Sequence, residues 1–200
     1  MAAPIEFYFD FSSPFGYLAS HKIEGIAAKY GREVLWRPFL LGAVFKITGG
    51  VPPMMVPIKG DYYKHDFPRS ARYYGVEYRA PSIFPINSVT PSRAFYWLDS
   101  KDSKRAKELA AALYRAYFVD DTDISNADNV VVVAAKLGLD ANEVRAGMND
   151  AAVKERTKVE VEQALAKGAF GSPYIIIDGE PFWGADRLEQ VDKWLATGGW

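Results

Sequence analysis

The chain of 200 residues contains no cysteine. This excludes a disulfide framework, a cysteine-ligated metal and any thiol chemistry supplied by the protein itself. Histidine is nearly as scarce. His21 and His65 lie far apart in the sequence, so no histidine-rich metal site is expected and no metal is assigned. No apolar run approaches the ~20 residues that a membrane helix needs. The net charge of −1 gives no bulk attraction to nucleic acid or to an anionic membrane. The opening "MAAPIEF" lacks a basic segment followed by an apolar one, so no secretory leader is read there and the expected location is the cytoplasm.

What is present is ordinary for a folded globular protein, with 49% hydrophobic and 24% charged residues. The length suits one large domain, or one domain with a sizeable insertion. Aromatic residues reach 14%, which would suit a pocket for a flat organic molecule but is better read as a well-packed core.

The stretch "FYFDFSSPFGYLA" (7–19) sets the pattern. Residues 5–11 are aromatic and apolar and read as a buried strand. From Pro14 the period changes: Phe15, Leu18, Ala19, Ile23, Ile26, Ala27 and Tyr30 fall on one helical face. Ser13 stands at the N-cap, Pro14 at the first helical position and Gly31 just past the end, which predicts one helix over 14–30. "REVLWRPFLL" (32–41) reads as a second strand, so the unit is β-α-β with parallel strands and a right-handed crossover.

Residues 42–168 read as mostly helical, with amphipathic helices over 106–118, 126–140 and 150–168. "GGVPPMMVPIKGDYYKHDF" (49–67) reads as a structured loop leading into a helix. After Gly171 the strand period returns in "SPYIIID", followed by the turn "DGE", the strand "PFWG" and a closing helix over 185–196. The layout is α/β: a β-α-β…β-β-α domain made of 1–41 and 170–200, interrupted by a large all-helical insertion over 42–169.

Ser13-Pro14 marks the end of the first strand and the start of the first helix, where open α/β sheets bind ligands. A hydroxyl and free backbone N–H groups at a helix N-terminus suit an anion. Taken alone, Ser13 is better read as a plain N-cap.

Five stretches in order, "FYFDFSSPFGYLA", "PPMMVPIKGDY", "FPINS", "FGSPY" and "FWGADRL", resemble the thioredoxin superfamily. Within it the chain resembles the kappa-class glutathione transferases and, more closely, the 2-hydroxychromene-2-carboxylate isomerases. The resemblance implies a cis peptide at Ser172-Pro173 facing the active-site helix. Ser13 and Gly16 stand where redox members carry a cysteine pair, so the resemblance implies a thiol supplied by glutathione and activated by Ser13. Lowering a thiol pKa from ~8.5 by ~2 units needs roughly 2.7 kcal/mol of preferential anion stabilisation, about what a charge-assisted hydrogen bond and a helix terminus supply.

The resemblance further implies glutathione contacts at Pro14, Phe15, Gly50, Pro57, Lys59, Ser172, Pro173, Ala185 and Asp186. Lys59 would meet the glycine carboxylate, and Asp186, opening the last helix, the γ-glutamyl ammonium. Lys46, Ile47 and Asn87 would border an aromatic carboxylate. The chain departs from the kappa pattern at Gly16, Gly50 and Ala185, where polar side chains are usual. Asp10 is given no role. The implied activity is glutathione-dependent isomerisation of 2-hydroxychromene-2-carboxylate, or a related conjugated acid, by a cytoplasmic homodimer. The alternatives are a kappa-like transferase and a non-catalytic module that binds peptides at the proline groove.

Overall fold

The computed structural model describes residues 3–200. Four strands form one sheet: β1 (Ile5–Phe9), β2 (Val34–Pro38), β3 (Tyr174–Ile177) and β4 (Glu180–Trp183), in the order β2-β1-β3-β4. β1 runs parallel to β2 and antiparallel to β3, and β3 pairs antiparallel with β4. Phe7 faces Trp36 on one side and Ile175 on the other. The sequence of β1 follows from its central place. Phe7 and Phe9 point into the larger core, while Tyr8 points into a second core with Phe39, Val44 and Ala164, so the strand is apolar on both faces. The larger core runs from the sheet into the helices of the insertion, so both regions share one apolar interior.

Ser13 caps α1 (Pro14–Ser20) through its side chain, with proline at the first position. The expected single helix over 14–30 is two: α1, and α2 (Ile23–Lys29). The Ser20 hydroxyl donates to the Tyr17 carbonyl at 2.7 Å and Lys22 N–H turns back to Ala19 at 2.9 Å, which tightens the chain and ends α1.

The insertion holds α3 (Leu41–Thr48), α4 (Lys59–Tyr74), α5 (Val89–Asp99), α6 (Ser103–Phe118), α7 (Ala127–Lys136), α8 (Ala141–Asn149) and α9 (Ala151–Ala166). The expected loop over 49–67 therefore ends at Ile58, and its last nine residues, 59–67, are already helix. The helix expected over 126–140 stops at Lys136, because Gly138 takes φ +75° and Asp140 caps α8 instead. Two helices had no visible period. α5 is buried nearly all round, from Pro91 through Leu98, so it shows no polar face. α8 is short and polar, and its Gly147 sits under Trp97, where a Cβ would come within 2.1 Å of the ring.

β3 and β4 form the expected hairpin, and Ser172-Pro173 is cis. A second cis peptide, Phe84-Pro85, had no sequence signal. Asp186 does not open the last helix. It lies in a short 3-10 turn, Ala185–Arg187, ahead of α10 (Leu188–Thr197). No helix among the described residues is long and apolar enough to cross a membrane.

Candidate active site

The C-terminal end of β1, the N-terminus of α1 and the start of β3 meet at one wall of a cavity of about 1040 Å³. Its volume is at the upper end for small-molecule sites. Of the residues singled out from sequence, Ser13, Pro14, Phe15, Lys46, Asn87, Ser172, Ala185 and Asp186 line it. Gly50, Pro57, Lys59 and Ile47 do not, and Pro173 is buried behind Ser172. Lys59, the expected partner of a glycine carboxylate, is an exposed residue at the first position of α4.

Ser13 is buried, and its hydroxyl is not a free donor aimed into space. It donates to the Ser172 carbonyl at 2.9 Å and accepts from Gly16 N–H at 3.0 Å. The capping role and the contact with the proline groove are thus combined in one oxygen. In the first turn of α1, Tyr17 N–H is bound to the Ser13 carbonyl and Pro14 has no N–H. Phe15 N–H is left without a partner among the described residues. Ser172 N–H is likewise unpartnered beside the cis bond, and so are Ala185 and Asp186 N–H at the far end of the groove. Four free donors facing one cavity suit an extended, anion-bearing ligand.

Gly16 has a steric reason. A Cβ there would lie 2.7 Å from Ser172 Oγ and 2.8 Å from the Tyr114 hydroxyl. Tyr114 reaches in from α6, is fully buried and donates to the Asp10 carbonyl at 3.0 Å. Burial holds its phenol well above the ordinary tyrosine range, so it stays neutral. The Tyr114 hydroxyl and Ser172 Oγ fill the space that a side chain at Gly16 would take.

Asp10, given no role from sequence, is buried in the same wall. Its carboxylate accepts from Ser12 N–H, Ser12 Oγ and Leu41 N–H, each at 2.7 Å. Burial pushes its carboxyl pKa up, against the lowering effect of these donors and of Ser88. Its signal in the sequence was a lone acidic residue inside an apolar strand end.

The opposite wall is aromatic. Phe15 packs edge-on against Phe67 with centroids 4.9 Å apart, and Tyr63 stacks on Phe67 at 5.3 Å. Lys46, in the last turn of α3, lines the same cavity. At the groove's far end Trp183 meets Phe170 at 4.7 Å and covers Gly171, where a Cβ would come within 2.1 Å of the indole nitrogen. Asp186 is paired with Arg187 at 3.0 Å, and its carboxylate folds over Gly184, whose φ of +113° and lack of a side chain leave room for it. Tyr63, Phe67, Trp183 and Arg187 were not found from sequence. The α4 aromatics would have shown a helical period had the helix been started at Lys59.

A mixed four-stranded sheet with a cis proline facing the start of its first helix defines a thioredoxin-like protein, here with serine and glycine at the positions of the redox pair. The model of the DSBA-like thioredoxin domain matches residues 4–196. The chain is 30% identical over 193 residues to 2-hydroxychromene-2-carboxylate isomerase of Pseudomonas putida, covering 94% of this chain and 92% of that protein. It is 26% identical over 205 residues to glutathione S-transferase kappa 2 of Caenorhabditis elegans, covering 96% and 91%. A solved 2-hydroxychromene-2-carboxylate isomerase superposes with a TM-score of 0.87 at 27% identity, covering 96% of this chain and 94% of that one. The chain belongs to the DSBA-like thioredoxin family, in the group of 2-hydroxychromene-2-carboxylate isomerases and kappa-class glutathione transferases. Its function at family level is that of an isomerase- or transferase-like enzyme.

Proposed function

We propose that the protein is a glutathione-dependent isomerase acting on 2-hydroxychromene-2-carboxylate or a related conjugated aromatic acid, with Ser13 activating the thiol. The observation that carries this reading is the set of unpartnered donors at Phe15, Ser172, Ala185 and Asp186, aligned along a groove that begins at Ser13 in a chain without cysteine. These groups fit the thiol and the γ-glutamyl end of the tripeptide. The glycine end has no support from Lys59, which lies outside the cavity wall.

Glutathione, when bound, supplies a thiol whose ionised form adds reversibly to a conjugated carbon and lets the neighbouring bond rotate. The chain's residues do the rest. The Ser172 N–H and C=O offer one strand's worth of pairing to an extended peptide. A ligand N–H that takes the Ser172 carbonyl displaces the Ser13 hydroxyl, which turns its proton to the sulfur. Phe15 N–H at the helix N-terminus adds a second donor. Lys46 holds the substrate carboxylate, the Asn87 amide NH2 donates to it from the cavity edge, and the α4 aromatics exclude water. Asn87 uses its side-chain oxygen on Val89 N–H at 3.0 Å, so its NH2 remains free for this.

The same site supports a kappa-like transferase, in keeping with the second relative. Turnover with substoichiometric glutathione decides. Isomerisation that continues over many cycles with glutathione recovered supports the proposal. One thioether formed per turnover supports the transferase, and no glutathione effect on rate overturns both.

A further inference from the structure

An ionised thiol at Ser13 leaves a question about its proton. Ser13 donates toward the sulfur and so does not take it. The wall holds one buried carboxylate that the reaction does not otherwise use, Asp10, which is 2% exposed. Asp10 has no ion-pair partner among the described residues. Its neighbours with titratable groups are tyrosines, Tyr114 and Tyr117, both held neutral by burial. Asp10 and Ser12 both line the cavity, and the Ser12 hydroxyl is bound to the Asp10 carboxylate. The Ser12 hydroxyl gives its proton to Asp10 Oδ1 at 2.7 Å and lines the cavity beside Ser13, so its lone pairs are what it offers to a ligand.

We infer that Asp10, reached through the Ser12 hydroxyl, is the acceptor of the thiol proton when glutathione binds. The inference rests on the functional reading above. The step balances. The S–H bond breaks and its electron pair stays on sulfur. Ser12 Oγ gains that proton and passes its own to Asp10 Oδ1, so the carboxylate becomes a carboxylic acid and the thiol a thiolate. One negative charge is present before and after. Release of the proton to water would instead place a thiolate and a carboxylate side by side in a buried wall, and like charges there oppose each other. The upward push of burial on the Asp10 carboxyl favours the same direction. On this account Ser12 and Asp10 form a proton relay, and Ser13 is the group that holds the resulting anion.

Three measurements on the full chain test this. Calorimetry of glutathione binding near neutral pH, in two buffers of different ionisation enthalpy, counts protons released. Ultraviolet absorbance of the same complex counts thiolates formed. Infrared difference spectra with glutathione, and with S-methylglutathione as the thiol-free control, look for the C=O stretch of a protonated carboxyl. The expected result is fewer protons released than thiolates formed, with a protonated-carboxyl band that glutathione induces and S-methylglutathione does not. Asp10→Asn should lose the band and release one proton per thiolate. Where that variant does not fold, Ser12→Ala serves: thiolate should appear after rapid mixing more slowly by a factor on the order of 10², and Ser12→Thr should restore the rate. Equal numbers of protons and thiolates in the unaltered protein, with no such band, overturn the inference while leaving glutathione binding intact. Absence of binding by either peptide overturns the functional reading itself, and the relay with it.

Discussion

The two walls of the cavity are built on different principles. On the sheet side, Ser13, Ser172, Asp10, Gly16 and Tyr114 are buried and tied together by side-chain hydrogen bonds within 3.0 Å. On the side formed by α3, the following loop and the start of α4, the lining residues Phe45, Lys46, Pro53, Met54, Tyr62 and Tyr63 are all at least partly exposed. The first wall holds its groups in a connected hydrogen-bond network, as chemistry requires. The second presents apolar and cationic surface that tolerates variation, as selection among substrates requires. The difference teaches that the reaction and the choice of substrate are separable here, and substitutions should divide along the same line.

The largest effect should come from Gly16→Ala. Its Cβ would press on Ser172 Oγ and the Tyr114 hydroxyl, so stability should fall by about 1–3 kcal/mol. Tyr114→Phe in the same chain should recover part of that loss, because it removes one of the two atoms in conflict. A thermal melt of the four proteins in this cycle measures the coupling. Additive losses would mean that the fixed wall is looser than described.

Lys46→Ala should raise KM for an aromatic carboxylate about threefold to tenfold, corresponding to ~1 kcal/mol for a partly exposed ion pair. Glutathione affinity should not move. A matching loss of both affinities would erase the division between the walls.

Lys59→Ala should leave glutathione affinity within about twofold of its starting value, since an exposed charge away from the cavity contributes little. A tenfold loss in a calorimetric titration would bring Lys59, and the glycine end of the ligand, back to the cavity wall.

The smallest effect concerns the loop that leads from the second wall into α4. Ile58 holds φ +68° and ψ −54°, a γ-turn closed by Lys59 N–H on the Pro57 carbonyl at 2.7 Å; such a strained conformation costs a branched residue about 1–3 kcal/mol, offset in glycine by about 0.5–1 kcal/mol of chain entropy. Ile58→Gly should therefore raise stability by ~0.5–1 kcal/mol in denaturant unfolding. A loss of stability would show that the side chain makes a contact that outweighs the strain.

The sequence made the fixed wall more legible than the variable one, for physical reasons. Strand β1, the Ser13 cap and the β3–β4 hairpin are local features with local signatures, while the cis bond at Pro173 came from the resemblance. The cap residue, the turn dipeptide and the strand period each announce themselves. Asp10 was visible as a charge in an apolar stretch, but its partners Ser12, Leu41 and Tyr114 come together only through the fold. α5 was hidden because burial on all sides removes the polar face that gives a helix its period. Gly50, Pro57 and Lys59 came from resemblance alone, and no local signature in this loop fixes where they stand. A motif carried across such a loop keeps its order in sequence but not its place on the wall.

The central claim is that Ser13 holds the ionised thiol of bound glutathione. The most direct measurement is the ultraviolet absorbance of the thiolate, followed against pH at saturating glutathione, for the unaltered protein and for Ser13→Ala. Loss of a hydrogen bond to a charged group, worth ~1.5–3 kcal/mol, should move the midpoint of the Ser13→Ala titration about one to two pH units higher. Coincident curves in two proteins that bind glutathione equally would reduce Ser13 to the cap of α1 and contradict the account.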